Sequence, residues 1–212
     1  MIAKGCRLYI ITPERLHPTT FASDLASALD AGDVAALQLR LKNAGDDIWK
    51  RAIDALRPVC RSRGVALLLN DRVDLVEATG CDGAHVGQED MPAQEARQLM
   101  GAGRILGVTC KSSSDLALRA VADGADYVAF GAFFPSTSKQ VTNLADPDIL
   151  RRWSERQSLP SCAIGGITAG NLAPLVKAGA NLLAIIGGVW SHPEGPAAGV
   201  RAINAAIKAA LD

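Results

Sequence analysis

Apolar and polar positions along the chain follow two alternating periods. Short runs rich in Val, Ile and Leu, bounded by Gly, Pro, Asn or Asp, give way to longer stretches in which Ala, Leu and Val recur every three to four residues. The first pattern suits a strand buried on both faces and the second a helix that buries one face, so their regular exchange predicts βα units on a parallel sheet. Strands are predicted over Arg7 to Thr12, Leu37 to Lys42, Ala66 to Asn70, Gly83 to Gly87, Ile105 to Cys110, Tyr127 to Phe133, Ser161 to Ile167 and Leu182 to Val189. Helices are predicted to start near Phe21, Asp46, Arg72, Pro92, Ser113, Asp146, Thr168 and Gly195.

Eight strands, each followed by a helix, predict an α/β fold, a compact (β/α)8 TIM barrel near the short end of that architecture's range. An open doubly wound sheet is the alternative. It would carry a Gly-x-Gly-x-x-Gly turn after its first strand, where Pro13-Glu14-Arg15 stands instead. Nothing reads as a linker or as a second composition regime, so residues 1–212 are expected to form a single domain.

Composition narrows the function classes. At 49% hydrophobic the chain is not disordered, and a domain of this size buries about 70% of its unfolded surface without help from disulfides or a structural metal. The 22 Lys+Arg balance 22 Asp+Glu, and no basic run stands out, which argues against nucleic acid or an anionic membrane as partner. No apolar stretch reaches the roughly 18 residues of a membrane span, and Met1 to Cys6 lacks an apolar leader core. The five cysteines (Cys6, Cys60, Cys81, Cys110, Cys162) are odd in number and widely spaced, as expected of reduced core residues in a cytoplasmic protein.

In a barrel, chemistry sits where strands end. In the second strand a period of two puts Leu37, Leu39 and Leu41 on one face and Gln38, Arg40 and Lys42 on the other, so the polar face is expected to line the mouth, where paired cations suit a phosphate or diphosphate. The third strand ends in Asn70-Asp71-Arg72 and the fourth in His85-Val86-Gly87-Gln88-Glu89-Asp90. Asp71 and Asp90 each have helix capping as a bland alternative, yet two carboxylates beside two cations suit Mg2+, which prefers oxygen ligands. His85 reads as a packed, satisfied imidazole rather than a base. The sixth strand opens into Phe134-Pro135-Ser136-Thr137-Ser138-Lys139, hydroxyls and a cation able to wrap a diphosphate, and the residues after Lys139 predict a mobile loop that closes over substrate. Gly165-Gly166 and Gly187-Gly188 follow the last two strands and suit close approach of backbone N–H groups to a phosphate. The sum is two anion sites, one cationic and metal-assisted, the other lined by glycine.

Gln38-Leu39-Arg40-Leu41-Lys42, Asn70-Asp71-Arg72, His85 to Asp90, Gly107-Val108-Thr109, Phe130-Gly131 with Phe134 to Lys139, and Ala163-Ile164-Gly165-Gly166-Ile167-Thr168 together resemble the thiamine-phosphate synthase family, in order, from about Leu8 to Val189. The resemblance implies a (β/α)8 transferase that condenses hydroxymethylpyrimidine diphosphate with thiazole phosphate, with Mg2+, giving thiamine phosphate and diphosphate. It implies a dissociative path in which diphosphate leaves before the thiazole nitrogen attacks. Carried over by position, Arg40, Lys42 and Lys139 would hold the diphosphate, Asp71 and Asp90 the Mg2+, and Gln38, Asn70 and Thr109 the pyrimidine. Arg40, Lys42, Lys139 and Thr109 form the expected catalytic set. Gly165 or Gly166 and Ile186-Gly187 would receive the thiazole phosphate, and Ser136 and Ser138 count among the substrate-binding residues.

Several positions depart from the family pattern. Leu41 replaces an acidic residue, Thr109 a Ser, Cys110-Lys111 a Thr-His pair, Ser136 and Ser138 threonines, and Gly187 a Ser. A related branch tautomerises thiazole carboxylate phosphate with a histidine near the position of Lys111, so a tautomerase-like isomerase is one alternative, and a non-catalytic protein that binds thiamine phosphates is another. Expected partners are small phosphorylated substrates. A homodimer is the assembly to be tested.

Overall fold

A computed structural model describes residues 5–135 and 143–212. Eight parallel strands, β1 (Arg7–Ile11), β2 (Val34–Leu39), β3 (Ala66–Asn70), β4 (Gly83–Val86), β5 (Ile105–Lys111), β6 (Tyr127–Gly131), β7 (Ser161–Ile164) and β8 (Leu182–Ile185), pair in sequence order. β8 pairs back onto β1, from Arg7 opposite Leu182 to Ile10 opposite Ile185, and closes the barrel. The helices are α1 (Pro18–Leu29), α2 (Asp46–Arg61), α3 (Val73–Thr79), α4 (Ala93–Met100), α5 (Ser114–Ala122), α6 (Asp148–Arg156), α7 (Ala173–Lys177), α8 (Gly187–Trp190) and α9 (Pro196–Leu211).

Alternation along each strand divides the core in two. Leu8, Ile10, Leu37, Leu39, Leu67, Leu69, Val128 and Phe130 belong to the larger cluster, between strands and helices. Tyr9, Ile11, Ala36, Leu68, Tyr127, Ala129, Cys162, Leu182 and Ala184 form the smaller one inside the barrel. Glycine makes room for the tyrosines there: a Cβ on Gly107 would lie 2.0 Å from Cζ of Tyr127. All five cysteines are free and buried, and burial pushes the thiols of Cys6, Cys60 and Cys110 up to about 12.

β3 has the expected bounds, β1, β4 and β5 differ from theirs by one residue, and the other four strands differ by two or more. β2 begins at Val34 and stops at Leu39, not Lys42, because the chain beyond it bonds to the loop after β1: Arg40 N donates to Thr12 Oγ1 (2.9 Å) and Lys42 N to Glu14 O (3.1 Å). β6 ends at Gly131, and β7 ends at Ile164 because Gly165 and Gly166 take φ of 102° and 62°. β8 ends at Ile185 because α8, absent from the expected helices, starts two residues later. Among the helices, α1 starts earlier than expected, at Pro18, whose ring fits the first helical turn. α7 starts later, at Ala173, since Thr168 to Asn171 form a turn in which Thr168 N donates to the Asn171 side chain (2.8 Å). Among the described residues no helix is long and apolar enough to cross a membrane.

Candidate active site

The carboxyl-terminal ends of the strands bring most of the expected residues to one mouth. Arg40 and Lys42 leave β2 and converge on Glu14, from the loop after β1. Arg40 Nη1 donates to Glu14 Oε1 at 2.7 Å, and Lys42 Nζ lies 3.4 Å from the same oxygen. The Arg40 guanidinium holds the Glu14 carboxyl below the usual carboxylate range, with Lys42 adding to the effect. Glu14 was not a candidate in the sequence, where Pro13-Glu14-Arg15 reads only as a loop without a nucleotide fingerprint. Its signal would have been a lone carboxylate at the end of a strand adjacent to the Arg40 strand.

Asp71 and Asp90 meet across the β3 and β4 loops. Neither caps a helix: α3 begins after Arg72 and α4 after Pro92, both without a side-chain cap bond. Asp71 takes φ of 62°, a left-handed conformation that Asp tolerates better than most residues. Its backbone N–H donates to His85 O at 2.9 Å, and Asn70 Nδ2 donates to its carboxylate. Asp90 Oδ2 accepts from Gly87 N at 2.9 Å. Asp71 is exposed as a residue, but its carboxyl is half-buried beside Asp90. Burial first, then the Asp90 charge, push it up to about 6, while Arg40 pulls it the other way. Two facing carboxylates of which one resists ionisation form a donor set that a hard divalent cation would relieve. Among the described residues no group of three or more His, Cys, Asp and Glu gathers, so the pair is what the chain offers, and Mg2+ takes one or two carboxylates in such sites. The residues fit that ion.

Inside the barrel, Gln38 is 3% exposed and donates through Nε2 to Tyr9 Oη at 2.9 Å. Tyr9 Oη bonds Tyr127 Oη at 2.9 Å, and Tyr127 Oη bonds His85 Nδ1 at 2.8 Å. His85 Nε2 bonds Thr109 Oγ1 at 2.7 Å. The reading of His85 as a packed, satisfied imidazole therefore holds, and burial drives its pKa down to about 4. The two tyrosines are the only ones in the chain, and each shares the inward phase of Gln38 and His85. That coincidence was the available sign of a polar interior.

The seventh and eighth loops are close-packed. A Cβ on Gly165 would meet Ala132 Cβ at 2.3 Å, and one on Gly166 would meet Pro135 O at 2.2 Å. Both glycines are thus required first by contact with the loop after β6. Gly187, at the start of α8, is different: a Cβ there meets nothing within 4 Å among the described residues. Ile186 is its N-cap residue. Lys111 has φ of 51° and its Nζ lies 3.6 Å from Glu89 Oε1, at an exposed rim. Ser136, Ser138, Lys139 and the loop expected after it (through 142) lie outside the described residues.

A family model described as thiamine monophosphate synthase matches residues 8–189. The chain belongs to that family. It is 56% identical over 203 residues to the thiamine-phosphate synthase of Rhodospirillum centenum, covering 96% of this chain and 98% of that one. The thiamine-phosphate synthase of Hyphomonas neptunium is 48% identical over 204 residues, covering 94% and 92%. Among solved structures, a thiamine phosphate pyrophosphorylase from Pyrococcus furiosus superposes with a TM-score of 0.85 at 30% identity, over 99% of this chain and 98% of that one. Family membership makes the chain a transferase of thiamine biosynthesis, and its barrel mouth the place to look for the chemistry.

Proposed function

We propose that the protein joins hydroxymethylpyrimidine diphosphate to thiazole phosphate at this mouth, releasing diphosphate and forming thiamine phosphate. The observation that carries the reading is the juxtaposition of Asp71 and Asp90 with Arg40, two carboxylates and a guanidinium at the ends of three strands. Arg40 and Lys42, with Lys139, receive the diphosphate. Asp71 and Asp90 hold Mg2+, which when bound stabilises charge on the departing diphosphate. Gln38, Asn70 and Thr109 seat the pyrimidine ring, Thr109 through its hydroxyl. The Ser136 and Ser138 hydroxyls join Lys139 around the diphosphate, and the backbone at Gly165 or Gly166 and at Ile186 and Gly187 receives the thiazole phosphate.

The bond between the pyrimidine methylene and the diphosphate oxygen breaks with its electron pair going to oxygen. The thiazole nitrogen then donates its lone pair to the methylene carbon. No proton needs to be taken from either reactant for this bond to form, which agrees with a site whose one interior histidine is fully occupied by hydrogen bonds and kept neutral. Catalysis rests on positioning and on cations placed where charge develops. Lys111, near the position where the tautomerase branch has a histidine, faces Glu89 at the rim.

The test is diphosphate release in the presence of each substrate alone and of both, with Mg2+ and with EDTA. Diphosphate and thiamine phosphate are expected in equal amounts only with both substrates and the metal, and Asp71→Asn should remove most of that turnover. Tautomerisation of a thiazole phosphate in EDTA, or binding without turnover, would refute the reading.

A further inference from the structure

Barrel interiors are normally filled by layers of apolar side chains, and a hydroxyl or amide placed there must find a partner. Here side chains from five strands form one continuous hydrogen-bonded row, from Gln38 on β2 through Tyr9 on β1, Tyr127 on β6 and His85 on β4 to Thr109 on β5. Its two ends are residues assigned above to the pyrimidine. Its three middle members touch no substrate in that assignment, and Gly107 is kept free of a Cβ to admit one of them, Tyr127.

The row can be polarised in one sense only once its first bond is given. Gln38 Nε2 has no lone pair to offer, so it donates to Tyr9 Oη. The Tyr9 proton must then go to its other partner, Tyr127 Oη. Tyr127, already accepting from Tyr9, donates to His85 Nδ1. A neutral imidazole that accepts at Nδ1 carries its proton on Nε2, and donates it to Thr109 Oγ1. The Thr109 hydroxyl proton is left to point away from the row, as is the Gln38 carbonyl oxygen. Among the described residues neither has another hydrogen-bond partner.

We infer that the Tyr9, Tyr127 and His85 row sets the hydrogen-bonding sense of the ligand seat, making Gln38 an acceptor and Thr109 a donor, so that the site selects an aminopyrimidine over the corresponding pyrimidone. An aminopyrimidine supplies an N–H for Gln38 and a ring nitrogen lone pair for Thr109. In the pyrimidone, the carbonyl that replaces the amine brings an acceptor to an acceptor. Reversing the seat would require four bonds and the histidine tautomer to reverse together. Tyr9, Tyr127 and His85 are thus positioning residues for specificity, and the inference rests on the pyrimidine assignment made above.

Two measurements test it. Long-range 15N–1H correlation on histidine-labelled protein, with His85→Asn used to assign the signal, is expected to show His85 as the Nε2–H tautomer, and an Nδ1–H tautomer would overturn the inference. In Tyr127→Phe, and separately in Tyr9→Phe, the ratio of kcat/KM for the aminopyrimidine diphosphate over its pyrimidone analogue is expected to fall by at least about tenfold with the far-UV spectrum unchanged, since buried polar groups left unpaired are what reject the wrong ligand. Folded variants that retain the wild-type ratio would overturn the inference while leaving the synthase reading standing. A wild-type protein inert towards the aminopyrimidine diphosphate would overturn both, and it would be seen before either variant is compared.

Discussion

Replacing Asp71 by asparagine should stabilise the metal-free protein while removing its activity. The Asp71 carboxyl has a pKa near 6 in the fold, for burial and Asp90 both oppose its charge, against about 3.9 in an unfolded chain. A raised carboxyl pKa means that the folded state holds the proton more tightly. The group therefore costs nothing below the unfolded value, begins to cost stability as pH rises through about 4, and costs its full amount above about 6. A shift of about two units corresponds to about 3 kcal/mol between the protonation states if none of it is screened. The carboxyl is only half-buried, so water screens much of this, leaving about 1 kcal/mol. For a chain of this length that moves the melting temperature by about 2–4 °C. Asparagine keeps an oxygen for the Asn70 amide and accepts the left-handed backbone at this position, so the substitution should relieve the repulsion without disturbing the loop. Thermal unfolding followed by circular dichroism in EDTA should show Asp71→Asn melting above wild type at pH 8, with less than about half of that gain left at pH 4. With excess Mg2+ the order should narrow or invert, because only the wild-type pair gains from the cation. A variant that melts at or below wild type in EDTA at pH 8, or a gain that does not shrink towards pH 4, would refute the electrostatic reasoning.

Other expected outcomes follow from single contacts. Gly107→Ala would place a methyl group 2.0 Å from the Tyr127 ring, and overpacking of this kind costs about 1–3 kcal/mol, which calorimetry should record as a melting temperature lowered by several degrees. Arg40→Lys keeps the charge but loses the planar fork that bonds Glu14. Steady-state kinetics should show kcat/KM for the diphosphate substrate lowered by about tenfold or more, since a guanidinium and an ammonium are not equivalent at an oxyanion.

The fold was legible because closure of a parallel barrel leaves both faces of every strand buried. Runs such as Ala66-Leu67-Leu68-Leu69 are then nearly continuous in apolar residues and stand out from the helical spacing of Asp46–Arg61. The inward phase was legible too: Gln38 faces the interior and Leu37 and Leu39 the helices, as a period of two requires. Less visible were contacts that depend on a neighbouring strand. Glu14 becomes significant only when β1 lies beside β2 and brings it to Arg40 and Lys42. Tyr9 and Tyr127 are 118 positions apart in sequence and meet only across the barrel. Each alone is a core aromatic residue; together, with His85 between Tyr127 and Thr109, they are a polar row that hydropathy cannot report.

The places where strands stop were the hardest to read, and the candidate site is built there. Asp71 follows β3 at φ 62°, Lys111 ends β5 at φ 51°, and Gly165 and Gly166 follow β7 at 102° and 62°. All four are left-handed, a conformation that costs a non-glycine residue about 1–2 kcal/mol. The overruns predicted to Lys42 and Val189 have other causes, the bonds of Arg40 and Lys42 to the loop after β1 and the start of α8, but at Gly165 a left-handed residue breaks the alternation on which strand assignment depends and ends β7 before the predicted Ile167. The same break turns the next side chains away from the ladder and across the mouth. At Asp71 it sets a carboxylate against Asp90; at Gly165 and Gly166 it lets the loop after β7 pass against Ala132 and Pro135 of the loop after β6. The barrel below is specified by apolar repetition, whereas the candidate site takes Asp71 from a position at which backbone conformation breaks that repetition.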